Sequence, residues 1–185
     1  MQNLKTKLAK LLLERSYKEG DFTLTSGKKS DFYFDCKQTA LHPEGSYLIG
    51  KLFFEMLRDV DVKGVGGMTL GADPLISSVT VVSHLEDRGM PGFIIRKKAK
   101  GHGTGQYLEG MSNFEPGDKV ALLEDVVTTG GTLITAAERV RDAGLEIVTV
   151  LSVLDRGEGG RENLRDAGLE LRSIFTRQEL KDAGK

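Results

Sequence analysis

The sequence predicts an α/β protein: a parallel central sheet with helices on both faces. Three observations carry that expectation. From residue 62 onward, short apolar runs alternate with segments of helical apolar spacing. The apolar runs lack strict polar alternation, as expected of strands covered on both sides. One of them, 119–124 (KVALLE), leads straight into adjacent carboxylates, threonines and glycines, at the strand end where ligands bind in open parallel sheets.

The elements follow in order. Leu4, Leu8, Leu11 and Leu12 recur at helical spacing, so 3–18 reads as an amphipathic helix. Segment 21–36 (DFTLTSGKKSDFYFDC) reads as two strands around a Ser-Gly-Lys-Lys turn. Pro43 opens a helix whose stripe is Ile49, Leu52, Phe53, Met56, Leu57 and Val60. Strands are then expected at 62–66, 92–95, 119–124 and 147–154, with helices at 74–87 and 130–143. Asp73 is expected to cap the helix that Pro74 opens, the other reading being that it holds a metal-bound water. The hexapeptide RDAGLE occurs at 141–146 and 165–170. Each copy reads as a helix end with Gly144 or Gly168 in a left-handed cap, which adds a helix at 160–167 and a strand at 169–175. With no linker and no third repeat, the 185 residues read as a single domain, with 1–40 contributing a small hood.

Composition narrows the function. Lys and Arg number 26 against 27 Asp and Glu, a net charge of -1, which argues against a generic nucleic-acid binder. There are 23 glycines where average usage gives about 13, more than helix ends and turns require. Cys36 is the one cysteine, and three histidines complete no zinc spacing. The charged N-terminus lacks a signal-peptide core, and no apolar run is long enough to span a membrane. A soluble protein of the reducing cytoplasm is expected.

Chemistry concentrates in 120–132 (VALLEDVVTTGGT). Thr128, Thr129, Gly130, Gly131 and Thr132 form a turn feeding a helix N-terminus, where backbone N–H groups, the helix dipole and hydroxyls favour a phosphate. Glu124 and Asp125, just before Val126 and Val127, suit a ribose diol, so one segment would hold a sugar phosphate at both ends. A strand end carrying solvated acids is the plainer reading of either half alone. No Gly-Lys-Ser/Thr follows, so the segment is not a P-loop. Arg96, Lys97, Lys98, Lys100 and His102 place a dense positive field in the unpatterned stretch 96–117. A loop that long within a compact domain is commonly a binding loop.

LLEDVVTTGGT resembles the phosphoribosyl-diphosphate signature of the type I phosphoribosyltransferases. FTLTSGKKSDFYFDC, RKKAKGHGTG and LDRGE resemble further motifs of that family, in its order, and the orotate-using members fit best. The resemblance covers about residues 20 to 160. It implies Mg²⁺-dependent transfer of the phosphoribosyl group from 5-phosphoribosyl 1-diphosphate to orotate, giving orotidine 5′-monophosphate and pyrophosphate in pyrimidine biosynthesis. It also implies a homodimer with shared active sites and neither a nucleic-acid nor a membrane partner. Glu124 and Asp125 would fix the ribose hydroxyls, with 126–132 completing the donor site. Arg96, Lys100 and His102 would meet the diphosphate, and Lys97 would act across the subunit interface. Thr128 and Arg156 would contact orotate, with Tyr33 and Phe34 covering the base; the plainer readings are a surface arginine paired with Glu158 and aromatics that fill the core under the hood, and strand alternation allows the two aromatics to do both. Mg²⁺ would ride on substrate oxygens and water, with no protein ligand assigned. Some members carry a ligand-binding lysine where Thr25 stands, for which Lys28 or Lys29 could substitute, and a Tyr-Lys pair in the stretch matching 66–75, where this chain has Leu70-Gly71. The rival readings are a transferase for another base and a regulator of the same fold that senses the sugar diphosphate.

Overall fold

The computed structural model describes residues 1–23, 29–99 and 107–183. Its first helix, α1 (Gln2–Arg15), buries Leu8, Leu11 and Leu12 as the leucine spacing requires. It ends before the expected residue 18 because Tyr17 already belongs to a strand. β1 (Tyr17–Thr23) pairs antiparallel with β2 (Lys29–Phe34), and the Tyr17 ring stacks on Phe32 at 5.4 Å. At the junction the Ser16 hydroxyl meets that of Thr39 at 2.7 Å in a buried contact. Thr39 lies on α2 (Lys37–Ala40), a helix too short to show periodicity in the sequence.

Next come α3 (Pro43–Met56), β3 (Gly64–Met68), α4 (Asp73–Leu85) and β4 (Gly92–Ile95), then β5 (Leu108–Glu109) and a 3₁₀ turn at Met111–Asn113. β6 (Lys119–Val127), α5 (Gly131–Asp142), β7 (Glu146–Asp155), α6 (Gly160–Asp166), β8 (Leu171–Thr176) and α7 (Arg177–Asp182) complete the order. β3 lies two residues later than the sequence suggests. Its residues, GVGGM, are all buried and carry little strand propensity of their own. The expected cap at Asp73 is corrected: Ala72 holds the cap position, and the Asp73 carboxylate turns back to accept the Thr69 hydroxyl at 2.7 Å. Both RDAGLE glycines do adopt left-handed φ, +85° at Gly144 and +72° at Gly168. Leu145 N–H returns to the Val140 carbonyl at 3.2 Å and Leu169 N–H to that of Leu164 at 2.9 Å, closing each helix with a six-to-one bond.

Six strands form one sheet in the order β5-β4-β3-β6-β7-β8, parallel except for the edge strand β5. One core joins a sheet face to α1, α3, α4, α7 and the hairpin. The other packs α5 and α6 on the opposite face, through Leu133, Ala136, Ala137, Val140 and Leu164. After β3 the chain moves outward to β4, then returns to place β6 on the other side of β3. That reversal splays the connections apart beyond the carboxyl ends of β3 and β6 and opens a crevice there. Among the described residues no helix is long and apolar enough to cross a membrane.

Candidate active site

The crevice is a cleft of about 460 Å³ at the ends of those two strands. Residues 68–71 form one wall and 124–133 the other, with Lys37 and Lys97 at its margins. Glu124, Asp125, Val126, Val127, Thr128, Thr129, Gly130, Gly131 and Thr132 thus reach one cavity as a continuous segment.

β6 buries Leu122 and Leu123 completely and carries the carboxylates out at its end. Glu124 is 8% exposed. Asp125 N–H donates to Glu124 Oε1 at 3.1 Å, and Val126 N–H donates to Asp125 Oδ1 at 2.8 Å. Burial pushes the Glu124 carboxyl well above its ordinary range, and the adjoining Asp125 adds to the effect, while the Lys97 charge opposes it. Asp125 lies against the Gly71 backbone, where an added Cβ would come 2.8 Å from its carboxyl. Glycine therefore leaves the space that the carboxylate occupies.

Gly130 takes φ +80° and starts α5, which no side chain caps. The first amides of a helix have no partner within it. Here they emerge beside Thr129 and Thr132, both exposed, in a position suited to an anion. Asn163 of α6 secures the turn from behind, its side-chain amide donating to the Thr129 carbonyl at 2.9 Å.

The cationic residues divide. Lys97, expected to act across a subunit interface, lines the cleft of its own chain. Arg96 instead pairs with Glu109 at 2.9 Å, toward the β5 edge. Lys100 and His102, like Thr25 and Lys28, lie outside the described residues.

Arg156 follows β7, and its N–H donates to the Val127 carbonyl at 3.0 Å, which seats it next to Thr128. Its side chain is 7% exposed. Nε meets Glu158 at 2.6 Å, Nη2 meets the Ser30 hydroxyl at 3.1 Å, and the guanidinium lies 4.2 Å from the Phe32 ring centre. Tyr33 is 45% exposed and turns outward beside Phe22, whereas Phe34 is 8% exposed and packs into the core. Alternation along β2 separates the two, and Phe32 is the ring that backs Arg156.

Sequence reasoning missed Lys37. It follows β2 and is held by Asp35 at 2.7 Å, and that bond together with the charge of Asp125 raises its pKa. Its approach to the cleft is a tertiary contact with no local signature.

A model of the phosphoribosyl transferase domain matches residues 71–168. The orotate phosphoribosyltransferase of Nostoc sp. is 46% identical over 98% of this chain and 87% of that protein. The chain belongs to the orotate phosphoribosyltransferase family. It is therefore an enzyme of the pentosyltransferase class. The Mycobacterium tuberculosis orotate phosphoribosyltransferase, solved with Fe(III) dicitrate, superposes at a TM-score of 0.83 with 38% identity, covering 96% of this chain and 98% of that one. The same bacterium's enzyme in complex with 5-phospho-alpha-D-ribosyl 1-diphosphate gives 0.79 with 34% identity, covering 96% and 99%. With the family and sheet order in hand, the fold expected from the sequence stands.

The donor set suits a hard cation. Glu124 and Asp125 offer carboxylate oxygens at the cleft, and Asp73 Oδ1, behind the 69–71 turn, is buried without a hydrogen-bond partner among the described residues. No cluster of three or more metal-ligating side chains occurs among those residues. Carboxylate oxygens of this kind are the ligands that a hard cation such as Mg²⁺ takes.

Proposed function

We propose that this enzyme transfers the phosphoribosyl group of 5-phosphoribosyl 1-diphosphate to orotate, forming orotidine 5′-monophosphate and pyrophosphate in cytoplasmic UMP synthesis. The observation that carries the reading is the unbroken segment 124–132, which joins a buried carboxylate pair to an uncapped helix N-terminus inside one cleft. A pentose phosphate is the ligand whose two ends match those two chemistries.

The 5′-phosphate accepts hydrogen bonds from the amides and hydroxyls of 128–132, with the α5 dipole behind them. Glu124 and Asp125 accept the ribose hydroxyls and fix the ring. The orotate ring nitrogen, having already given up its proton, bonds to the anomeric carbon as the bond from that carbon to the diphosphate oxygen breaks, and the electron pair leaves with pyrophosphate. The configuration inverts. Positive charge building on the ring is favoured by the carboxylate pair in its partly water-excluded setting. Lys97 and Lys37 stand at the cleft margins, where negative charge collects on the leaving diphosphate. Bound with the donor, Mg²⁺ would neutralise further charge there, and Glu124 and Asp125 are the cleft carboxylates that would help to hold it. At the other end, Arg156 takes the orotate carboxylate through a planar fork that lysine lacks. Its present contacts with Glu158 and Ser30 orient it and are adjusted on binding.

The functional unit we propose is a homodimer. Leu41, Tyr47, Val81 and Leu85 are each more than half exposed on the outer face of α3, α4 and the α2 end. They border a largely apolar groove of about 550 Å³. A second copy covering that face would bury these side chains.

The test is orotate consumption with and without 5-phosphoribosyl 1-diphosphate and Mg²⁺. Loss of orotate only when both are present supports the reading. Turnover of uracil, adenine or xanthine in place of orotate contradicts it.

A further inference from the structure

We propose that Arg139 is a positioning residue that sets the place of Lys97 at the cleft and, through it, the rate of the chemical step. The inference rests on the function proposed above. Arg139 lies on α5, two turns after the N-terminus that faces the cleft, and its side chain crosses to the far wall. Nη1 donates to the Arg96 carbonyl at 2.7 Å, and Nη2 lies 3.5 Å from the Lys97 carbonyl. The guanidinium carbon sits 4.1 Å from the Tyr107 ring centre, within reach of a favourable cation–ring contact. Nη1 also touches Met68 Sδ at 3.8 Å, where β3 enters the cleft wall.

One backbone bond completes the arrangement: Arg96 N–H donates to the Tyr107 carbonyl at 2.7 Å. The guanidinium therefore gathers residues 96–97, residue 107 and the end of β3 onto the helix whose first amides form the proposed phosphate seat. Lys97 is the residue in this group whose position matters for chemistry. The carbonyl just before it is bonded by Arg139 and its own lies near Nη2, while the residue lines the cleft and its charge reaches Glu124. The Arg96 side chain is occupied by Glu109, so Arg139 acts on the backbone of that pair. A planar fork suits this task, because it can donate to two successive carbonyls while presenting its face to a ring. A lysine would keep the charge and lose the fork.

A clamp that only stabilised the fold would change melting temperature and leave the kinetic parameters in proportion. A positioning role predicts a different pattern, since a displacement on the order of 1 Å at a reacting group costs about 100-fold in rate. Steady-state kinetics of Arg139→Ala and Arg139→Lys, with melting temperatures, separate the two. The expected result is a fall of about 10- to 100-fold in kcat for Arg139→Ala, an orotate KM within about twofold of wild type, and a smaller fall for Arg139→Lys. Millimolar guanidinium ion should restore part of kcat to Arg139→Ala and do nothing for Lys97→Ala. Unchanged kcat in Arg139→Ala, full kcat in Arg139→Lys, or a loss that guanidinium does not relieve would each overturn the proposal. If Arg139→Ala does not fold, the Arg139→Lys enzyme carries the test alone. An inactive wild-type enzyme would instead refute the proposed function, so the two failures are distinct.

Discussion

The two ends of the proposed substrate site are built in opposite ways. At the phosphate end, one continuous segment supplies both carboxylates and the start of α5, and no side chain caps that helix. At the base end, the groups come from distant parts of the chain and already satisfy one another. Arg156 is closed in by Glu158, Ser30 and Phe32, and Arg177 stacks on the Phe32 ring as well, its guanidinium carbon 4.0 Å from the ring centre. The difference teaches that the donor sugar meets a preorganised seat, whereas the base must exchange protein contacts for its own.

The largest effect should come from the preorganised end. Asp125→Asn is expected to lower kcat by about 100- to 1,000-fold, the scale for losing an electrostatic group aimed at developing charge. Single-turnover rates with saturating substrates would check it, and a loss confined to KM would mean that the carboxylate only binds. At the base end, Arg156→Ala should raise the orotate KM by about 10- to 100-fold while moving that for the sugar diphosphate far less. Equal changes in both constants would remove the contrast between the two ends.

The buried carboxylate gives a pH signature with two signs. Because burial and Asp125 raise the Glu124 pKa, the side chain keeps its proton to higher pH than an exposed glutamate. Its charge, and with it kcat/KM for the sugar diphosphate, should rise as pH climbs through that raised value. Glu124→Gln should flatten this acid limb. Stability runs the other way in the ligand-free protein: a raised folded pKa favours the protonated folded state, an advantage lost as pH rises through it. Melting curves should therefore show Glu124→Gln gaining on wild type as pH increases. A gain only at low pH would contradict this account of Glu124.

The smallest effect on the donor seat is expected from the outer apolar face. Val81→Asp should shift the oligomeric state toward monomer in sedimentation velocity. A dimer that withstands the substitution would place the interface elsewhere.

The same contrast explains what the sequence made legible. β4 falls on its expected residues, and the buried strands β6 and β7 differ only at their ends, because each is a compact apolar run, with a helix after β6 and β7. Segment 124–132 was readable because every group it brings to the cleft is adjacent in the chain. α2 and β5 were too short to carry periodicity. β1 is expected from residue 21 and begins earlier, at Tyr17, where pairing with Phe34 of β2 makes a strand of residues the sequence assigns in part to the first helix. Lys37 and Arg139 escaped notice for another reason. Lys37 lines the cleft under the charge of Asp125, and Arg139 meets Arg96, Lys97 and Tyr107, arrangements that only the folded chain creates. Phe34 shows the converse: the FYF run drew attention to it, while strand alternation sends it into the core.

The most direct test of the central claim is a crystal structure of the protein bound to 5-phosphoribosyl 1-diphosphate. The account predicts the 5′-phosphate within hydrogen-bonding distance, roughly 2.7–3.2 Å, of the amides of Thr129 to Thr132, and the ribose hydroxyls on Glu124 and Asp125. A sugar diphosphate bound with its 5′-phosphate away from the α5 N-terminus would contradict it.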